Sequence, residues 1–227
     1  MSIAEPKTTP IEYPSGDGKP TAETWLHVQA IMLLHQALED FFGDRTDVFV
    51  ASDLLWYWQE GSPELRVAPD VMVVPGVGRR PRRSFFSWEE GGAVPAVVFE
   101  MASEGTWRDD LDDKYDRYEQ LGVREYFLFD PEGEHLVPRL RGYRLRETAY
   151  RRLRQTELTS ELGFGLRAEE TMLRLIDLKS GRPIPTRAEA ARHEAAESQR
   201  EAERLRAELE RLRAQLKAPG EANGSGA

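Results

Sequence analysis

The chain has 227 residues, 40% of them hydrophobic, enough to bury one sizeable core with an appendage left over. The absence of cysteine excludes disulfides and thiolate metal sites. A net charge of −9 excludes a protein that coats nucleic acid by charge alone.

Residues 1–20 carry four prolines together with Gly16 and Gly18, which predicts an irregular lead-in. They lack the basic-then-apolar pattern of a signal peptide, and no apolar run approaches membrane-spanning length, so a soluble cytoplasmic protein with no membrane partner is expected. From Glu23 to Phe42 the chain is apolar on more than one face, which predicts a well-packed helix ended by Gly43. His27 and His35 lie on it. Histidines on such a helix are read as core or boundary groups, not as metal ligands.

Two β-rich runs, Val48 to Trp58 and Leu65 to Val74, flank the turn signal Gly61-Ser62-Pro63 and predict a hairpin. Pro69 lacks a ladder donor, so the second strand is expected at an edge or bulged. That leaves Asp70 as a carboxylate at the mouth of a sheet, with an ordinary turn aspartate as the open alternative. The loop that follows, Gly78-Arg79-Arg80-Pro81-Arg82-Arg83, reads as a solvated loop or as a place to hold a phosphate backbone.

Pro95 to Pro131 is the best-defined stretch. The valine-rich run Ala96 to Phe99 predicts a buried strand ending on Glu100, and Tyr126 to Phe129 predicts a second. Between them, a start at Thr106 with Asp109 three residues on, and a stop at Gly122, bound a helix of about four turns. The whole is a βαβ unit. Leu111, Tyr115 and Tyr118 form the stripe facing the sheet, and Asp109, Asp110, Asp112, Asp113 and Asp116 are assigned mostly to water. Lys114 sits beside the apolar stripe, where its amine either snorkels to solvent or reaches an anion at the sheet.

Beyond Asp130-Pro131-Glu132-Gly133, the segments GYRLRE and YRRLRQ predict half-exposed antiparallel strands with Arg144 and Arg146 on the wet face. Further short β segments run from Leu158 to Asp177, with Ser180-Gly181 as a turn, before a proline-containing linker at 182–185. From Thr186 to Lys217 the composition collapses to Ala, Glu, Arg and Leu. Leu205, Leu209, Leu212 and Leu216 have 4-3-4 spacing, and with Leu209 at position a, Glu201 and Glu208 fall at g and Arg206 and Arg213 at e. That pattern predicts a parallel coiled-coil homodimer; a solitary exposed helix is the alternative. Residues 218–227 read as a disordered tail.

Asp70 after proline, Glu100 in Glu-Met-Ala-Ser, Lys114 on the next helix, and the run KYDRYEQLGVREYFLFDP together resemble the Uma-type family of restriction endonucleases, within the PD-(D/E)XK nuclease superfamily. The resemblance spans most of residues 20–185. It implies an α/β fold with a restriction-endonuclease-like mixed sheet flanked by helices over residues 21–185, followed by a coiled-coil helix over 186–217. It also implies an endonuclease hydrolysing phosphodiester bonds of nucleic acid, with DNA the expected substrate. Asp70 and Glu100 supply hard oxygen ligands for Mg²⁺ or Mn²⁺, with the Met101 carbonyl a third. The superfamily lysine two residues after the acid is here Ala102, and the resemblance moves its role to Lys114. The competing expectation is a catalytically idle nuclease-like scaffold that recruits partners through its helical tail.

Overall fold

The computed structural model describes residues 11–14 and 24–217. Apart from 11–14, the lead-in expected over 1–20 lies outside the described residues, as does the tail expected over 218–227. Residues 11–14 have no regular structure. The Tyr13 ring packs edge-on against Tyr57 and Phe86, and its hydroxyl accepts the Gly61 N–H at 2.6 Å.

Thr24 caps α1 (Trp25–Phe41), its hydroxyl accepting the His27 N–H at 3.3 Å. Ala30, Leu34 and Leu38, four residues apart, are buried on one face of that helix. The strands that follow are β1 (Val48–Ser52), β2 (Trp56–Tyr57), β3 (Arg66–Val67), β4 (Val71–Pro75), β5 (Phe85–Phe86) and β6 (Val97–Met101). Two short helices, α2 (Trp107–Leu111) and α3 (Asp113–Gln120), precede β7 (Glu125–Phe129), β8 (Leu140–Arg146) and β9 (Ala149–Arg152). Then come β10 (Phe164–Glu169), β11 (Met172–Asp177), β12 (Arg182–Pro183) and α4 (Arg187–Lys217).

Six strands form one mixed sheet in the order β1-β4-β6-β7-β8-β9. Within it, β6 and β7 are parallel and every other neighbouring pair is antiparallel. The parallel pair needs a crossover, which α2 and α3 supply. Alternation assigns the two faces. Val71, Val73, Val97, Phe99 and Phe127 pack with α1 and β10–β11 on one side; Met72, Val74, Val98, Tyr126 and Leu128 pack with Tyr118 of α3 on the other. Gly142 on β8 is required by close approach, since a Cβ there would stand 2.8 Å from the Phe127 ring.

The structure departs from expectation in four places. The hairpin divides between two sheets, β1 pairing with β4 in the large one while β2 pairs with β3 in a small one. β4 lies inside the sheet, between β1 and β6, and not at an edge. Pro69 is tolerated because it precedes the strand, where its carbonyl accepts the Asp53 N–H at 3.1 Å. The crossover helix is broken at Asp112, whose ψ of −79° ends α2 before α3 begins. Thr106 sits at its start without a side-chain cap.

The arginine loop is bound inward. Arg79 donates to the Phe42 and Val48 carbonyls, Arg80 and Arg82 share Glu90, and Arg82 lies 4.3 Å over the Phe49 ring. Arg144 is likewise mostly covered, its guanidinium paired with Glu125 at 2.8 Å, while Arg146 on the same strand is exposed.

Backbone contacts divide the chain into residues 1–184 and 185–227. In the second unit, Thr186 and Glu189 close a capping box, each side chain accepting the other's backbone N–H at 3.2 and 2.8 Å. Leu205, Leu209 and Leu212 on α4 are about half exposed.

Candidate functional site

The site forms where the parallel pair ends. Register places Asp70, one residue before β4, beside Glu100, the penultimate residue of β6. The Asp70 Oδ2 accepts the Met101 N–H at 2.6 Å. The Met101 carbonyl leaves the same edge of the strand, past the last β4–β6 ladder pair.

Glu100 points to the face covered by α3 and is completely buried. Its Oε1 accepts the Tyr118 hydroxyl at 2.6 Å and its Oε2 accepts the Lys114 ammonium at 2.9 Å. The same ammonium lies 2.8 Å from Oδ1 of Asp110, whose side chain is also buried. Lys114 itself is 21% exposed, so its amine is drawn inward and does not snorkel. His27 on α1 closes the third side, with Nε2 3.8 Å from Asp70 Oδ2.

Three carboxylates therefore crowd one lysine. Burial pushes Glu100 up to about 7 against the pull of Lys114, with Asp70 pushing in the same direction as burial. Asp70 rises to about 6, again by burial and again opposed by Lys114. Asp110 rises to about 6 through burial and the nearby Glu100 charge. Burial by itself would lower the Lys114 value; Glu100, Asp110 and Asp70 overcome it and hold the ammonium well above its ordinary range.

Asp70, Glu100, Met101 and Lys114 are thus neighbours in space, drawn from β6, α3 and the approach to β4. Three further groups belong with them. Asp110 was assigned to water, yet it stands four residues before Lys114 and eight before Tyr118, on the inward face by the helical period. That spacing was the available signal. Tyr118 was read only as apolar stripe, and His27 only as a core histidine.

The donor set fits a hard divalent cation. The Asp70 and Glu100 carboxylates and the Met101 carbonyl offer oxygen donors at one end of the sheet, the donor type such an ion takes. Asp70, Glu100 and Asp110 do not bring three ligand atoms within 4.8 Å of one another; among the described residues Glu132, Glu134 and His135 do, on the loop after β7. A cleft of about 470 Å³ lined by Trp58, Leu65, Asp113, Asp116, Arg117, Gln120 and Leu121 contains none of Asp70, Glu100, Asp110 and Lys114, so concavity alone points elsewhere.

The fold is a mixed α/β sheet flanked by helices, with three acids and a lysine gathered where the parallel strand pair ends. The chain belongs to the Uma2 family, described as "Putative restriction endonuclease", whose model matches residues 2–172. It is also similar to the crystal structure, at 1.96 Å, of a "putative nuclease belonging to DUF820" from Anabaena variabilis ATCC 29413. That similarity is 12% in sequence with a TM-score of 0.43, over 61% of this chain and 74% of the other. No curated protein matches the chain. No helix among the described residues is long and apolar enough to cross a membrane.

Proposed function

We propose that the chain is a metal-dependent endonuclease that hydrolyses phosphodiester bonds of nucleic acid, DNA being the expected substrate, in the cytoplasm. The observation that carries this reading is the Lys114 ammonium held inside the protein by carboxylates from β6 and α2. A scaffold gains nothing from three acids around one lysine, because each buried charge costs desolvation that the single cation does not fully offset.

In this reading Asp70, Glu100 and the Met101 carbonyl hold Mg²⁺ or Mn²⁺. The bound cation would acidify water and neutralise charge on the phosphate. The protein's own part is positional. The Met101 N–H fixes Asp70, and the Tyr118 hydroxyl fixes Glu100, so neither acid has to reorganise. Lys114 supplies a permanently charged donor toward the phosphoryl oxygens, where negative charge develops in the transition state. The catalytic unit is residues 21–185.

The test is calorimetry with Mn²⁺ together with cleavage assays on several nucleic acids, with and without the metal. Asp70→Asn and Glu100→Gln remove ligand charge with little change of volume, so each should abolish Mn²⁺ binding and cleavage in a folded protein. Full cleavage by either variant removes the site. Wild-type protein that binds no Mn²⁺ leaves the scaffold reading in its place.

We further assign the homodimer contact to α4, over residues 186–217. Leu205, Leu209 and Leu212 are about half exposed along it, and the g-to-e′ steps Glu201–Arg206 and Glu208–Arg213 would pair opposite charges in a parallel dimer.

A further inference from the structure

Asp110 is the acid for which the metal-binding reading has no use. It lies on α2, one turn before Lys114, and its side chain is 1% exposed. The Tyr126 hydroxyl that anchors this turn donates to the Asp110 backbone carbonyl, at 2.8 Å, and not to its carboxylate. Its close cationic contact is the Lys114 ammonium at 2.8 Å, with Thr106 also within reach. A buried carboxylate with that single strong contact either destabilises the protein for nothing or serves the lysine.

Lysine is the side chain least able to hold itself in place. It carries about 2 kcal/mol of rotamer entropy and ends in a point charge without the fixed geometry of a guanidinium. Here the ammonium is anchored from two elements, by Glu100 on the strand and by Asp110 on the helix segment. Any ligand that draws on the Glu100 charge weakens the first anchor. The second, four residues earlier on α2, is unaffected.

We infer that Asp110 is a positioning residue: it keeps the Lys114 ammonium at the Glu100 carboxylate when that carboxylate is engaged by a cation. The inference rests on the proposed role of Glu100 as a ligand. Asp110 acts through the lysine and takes no part in holding the metal. Its effect on turnover therefore exists only while Lys114 is present.

The experiment is a double-mutant cycle on the full chain: wild type, Asp110→Asn, Lys114→Met and the double variant, with Asp110→Glu as the conservative control. Three quantities are read, namely turnover with Mn²⁺, Mn²⁺ affinity by calorimetry, and the denaturant midpoint. Asp110→Asn should lower turnover about tenfold and Lys114→Met about a hundredfold, with the double variant no slower than Lys114→Met. Asp110→Glu should recover most of the loss. In the Lys114→Met background, Asp110→Asn should change the Mn²⁺ dissociation constant less than about threefold.

Two results overturn the inference. If the turnover losses multiply, Asp110 acts independently of the lysine. If the dissociation constant rises tenfold or more in the Lys114→Met background, Asp110 is a metal ligand. Should wild-type protein neither bind Mn²⁺ nor cleave, the nuclease reading fails by itself. The midpoints still decide the tether, because non-additive midpoints uphold the Asp110–Lys114 coupling and additive ones remove it.

Discussion

Two buried glutamates stand on the adjacent parallel strands β6 and β7, at opposite ends, and they differ in everything but burial. Glu125, the first residue of β7, is satisfied completely. It accepts from the Arg144 Nε and the Glu161 N–H, each at 2.9 Å, and from the Ser160 hydroxyl. Its partners are one cation and two neutral donors; that cation is shared only with the exposed Glu161, at 3.6 Å, so the buried charge is balanced where it sits. Glu100 is as deeply buried, but its lysine is shared with Asp110 and feels Asp70, and its carboxyl is pushed up to about 7 by burial. A buried acid with a cation and neutral donors of its own holds a structure together. A buried acid that must compete with other buried acids for its cation is strained electrostatically, which makes Glu100 the candidate for function of the two.

The comparison is broken most directly by neutralising each glutamate in turn. Glu100→Gln should lower cleavage by roughly three orders of magnitude, as loss of a ligand charge and of its positioned donors combine. Its unfolding free energy should stay level or rise, since one uncompensated charge leaves the interior. Glu125→Gln should do the reverse, costing about 2 kcal/mol in denaturant unfolding because the mostly covered Arg144 loses its 2.8 Å ion pair and keeps only the longer one to Glu161, with Mn²⁺ affinity retained. Two variants with the same stability change would show that the two sites are alike after all.

Lys114→Met comes next in size. Turnover should fall about a hundredfold with Mn²⁺ binding kept, because the amine is not a ligand. Stability should fall too, and more at pH 8 than at pH 5, since three carboxylates then lack their cation and protonation relieves them. Equal destabilisation at both pH values would mean that the lysine is not what balances the acids.

A smaller effect sharpens the same contrast without mutation. Asp70, Glu100 and Asp110 have folded-state values raised to about 6, 7 and 6, above those of the unfolded chain. As pH rises from about 4 to about 7, the unfolded state loses these protons first, so it binds fewer than the native state and stability falls. The Lys114 contribution, from a raised folded value, is present throughout that window and lost only in strong alkali. Metal-free protein should therefore lose several kcal/mol between pH 4 and 7, and Mn²⁺ should restore it by favouring the ionised acids. Urea midpoints across that range, with and without Mn²⁺, measure both. A flat metal-free profile would place the three acids on the same footing as Glu125.

The smallest effect concerns α4. Deleting residues 187–227 should lower the number of chains per particle seen by light scattering while changing the unfolding free energy of the remaining unit by less than about 0.5 kcal/mol. An unchanged number of chains would mean that the leucine stripe does not drive assembly.

How much of this was legible without coordinates depends on the range of the forces involved. The βαβ unit at 95–131 was readable because strand, crossover and strand are each bounded by local signals, and Val97, Phe99 and Phe127 alternate as a buried pair of strands must. Asp70, Glu100 and Lys114 stand at strand ends and beside a helical stripe with ordinary readings open for each, and the family resemblance is what joins them into one candidate site. The start of α4 was equally local, since Thr186 and Glu189 cap within three residues. Tertiary structure decided what depends on partners distant in sequence. Asp110 turned inward because Lys114 and the sheet offered its charge a place, against a pattern of five aspartates that reads as a wet face. The arginine loop was drawn onto Glu90 and two backbone carbonyls that no short-range signal connects to it. β4 took an interior place because β6 paired along its other edge, and pairing across a sheet is set by burial and long-range packing rather than by the proline that precedes the strand.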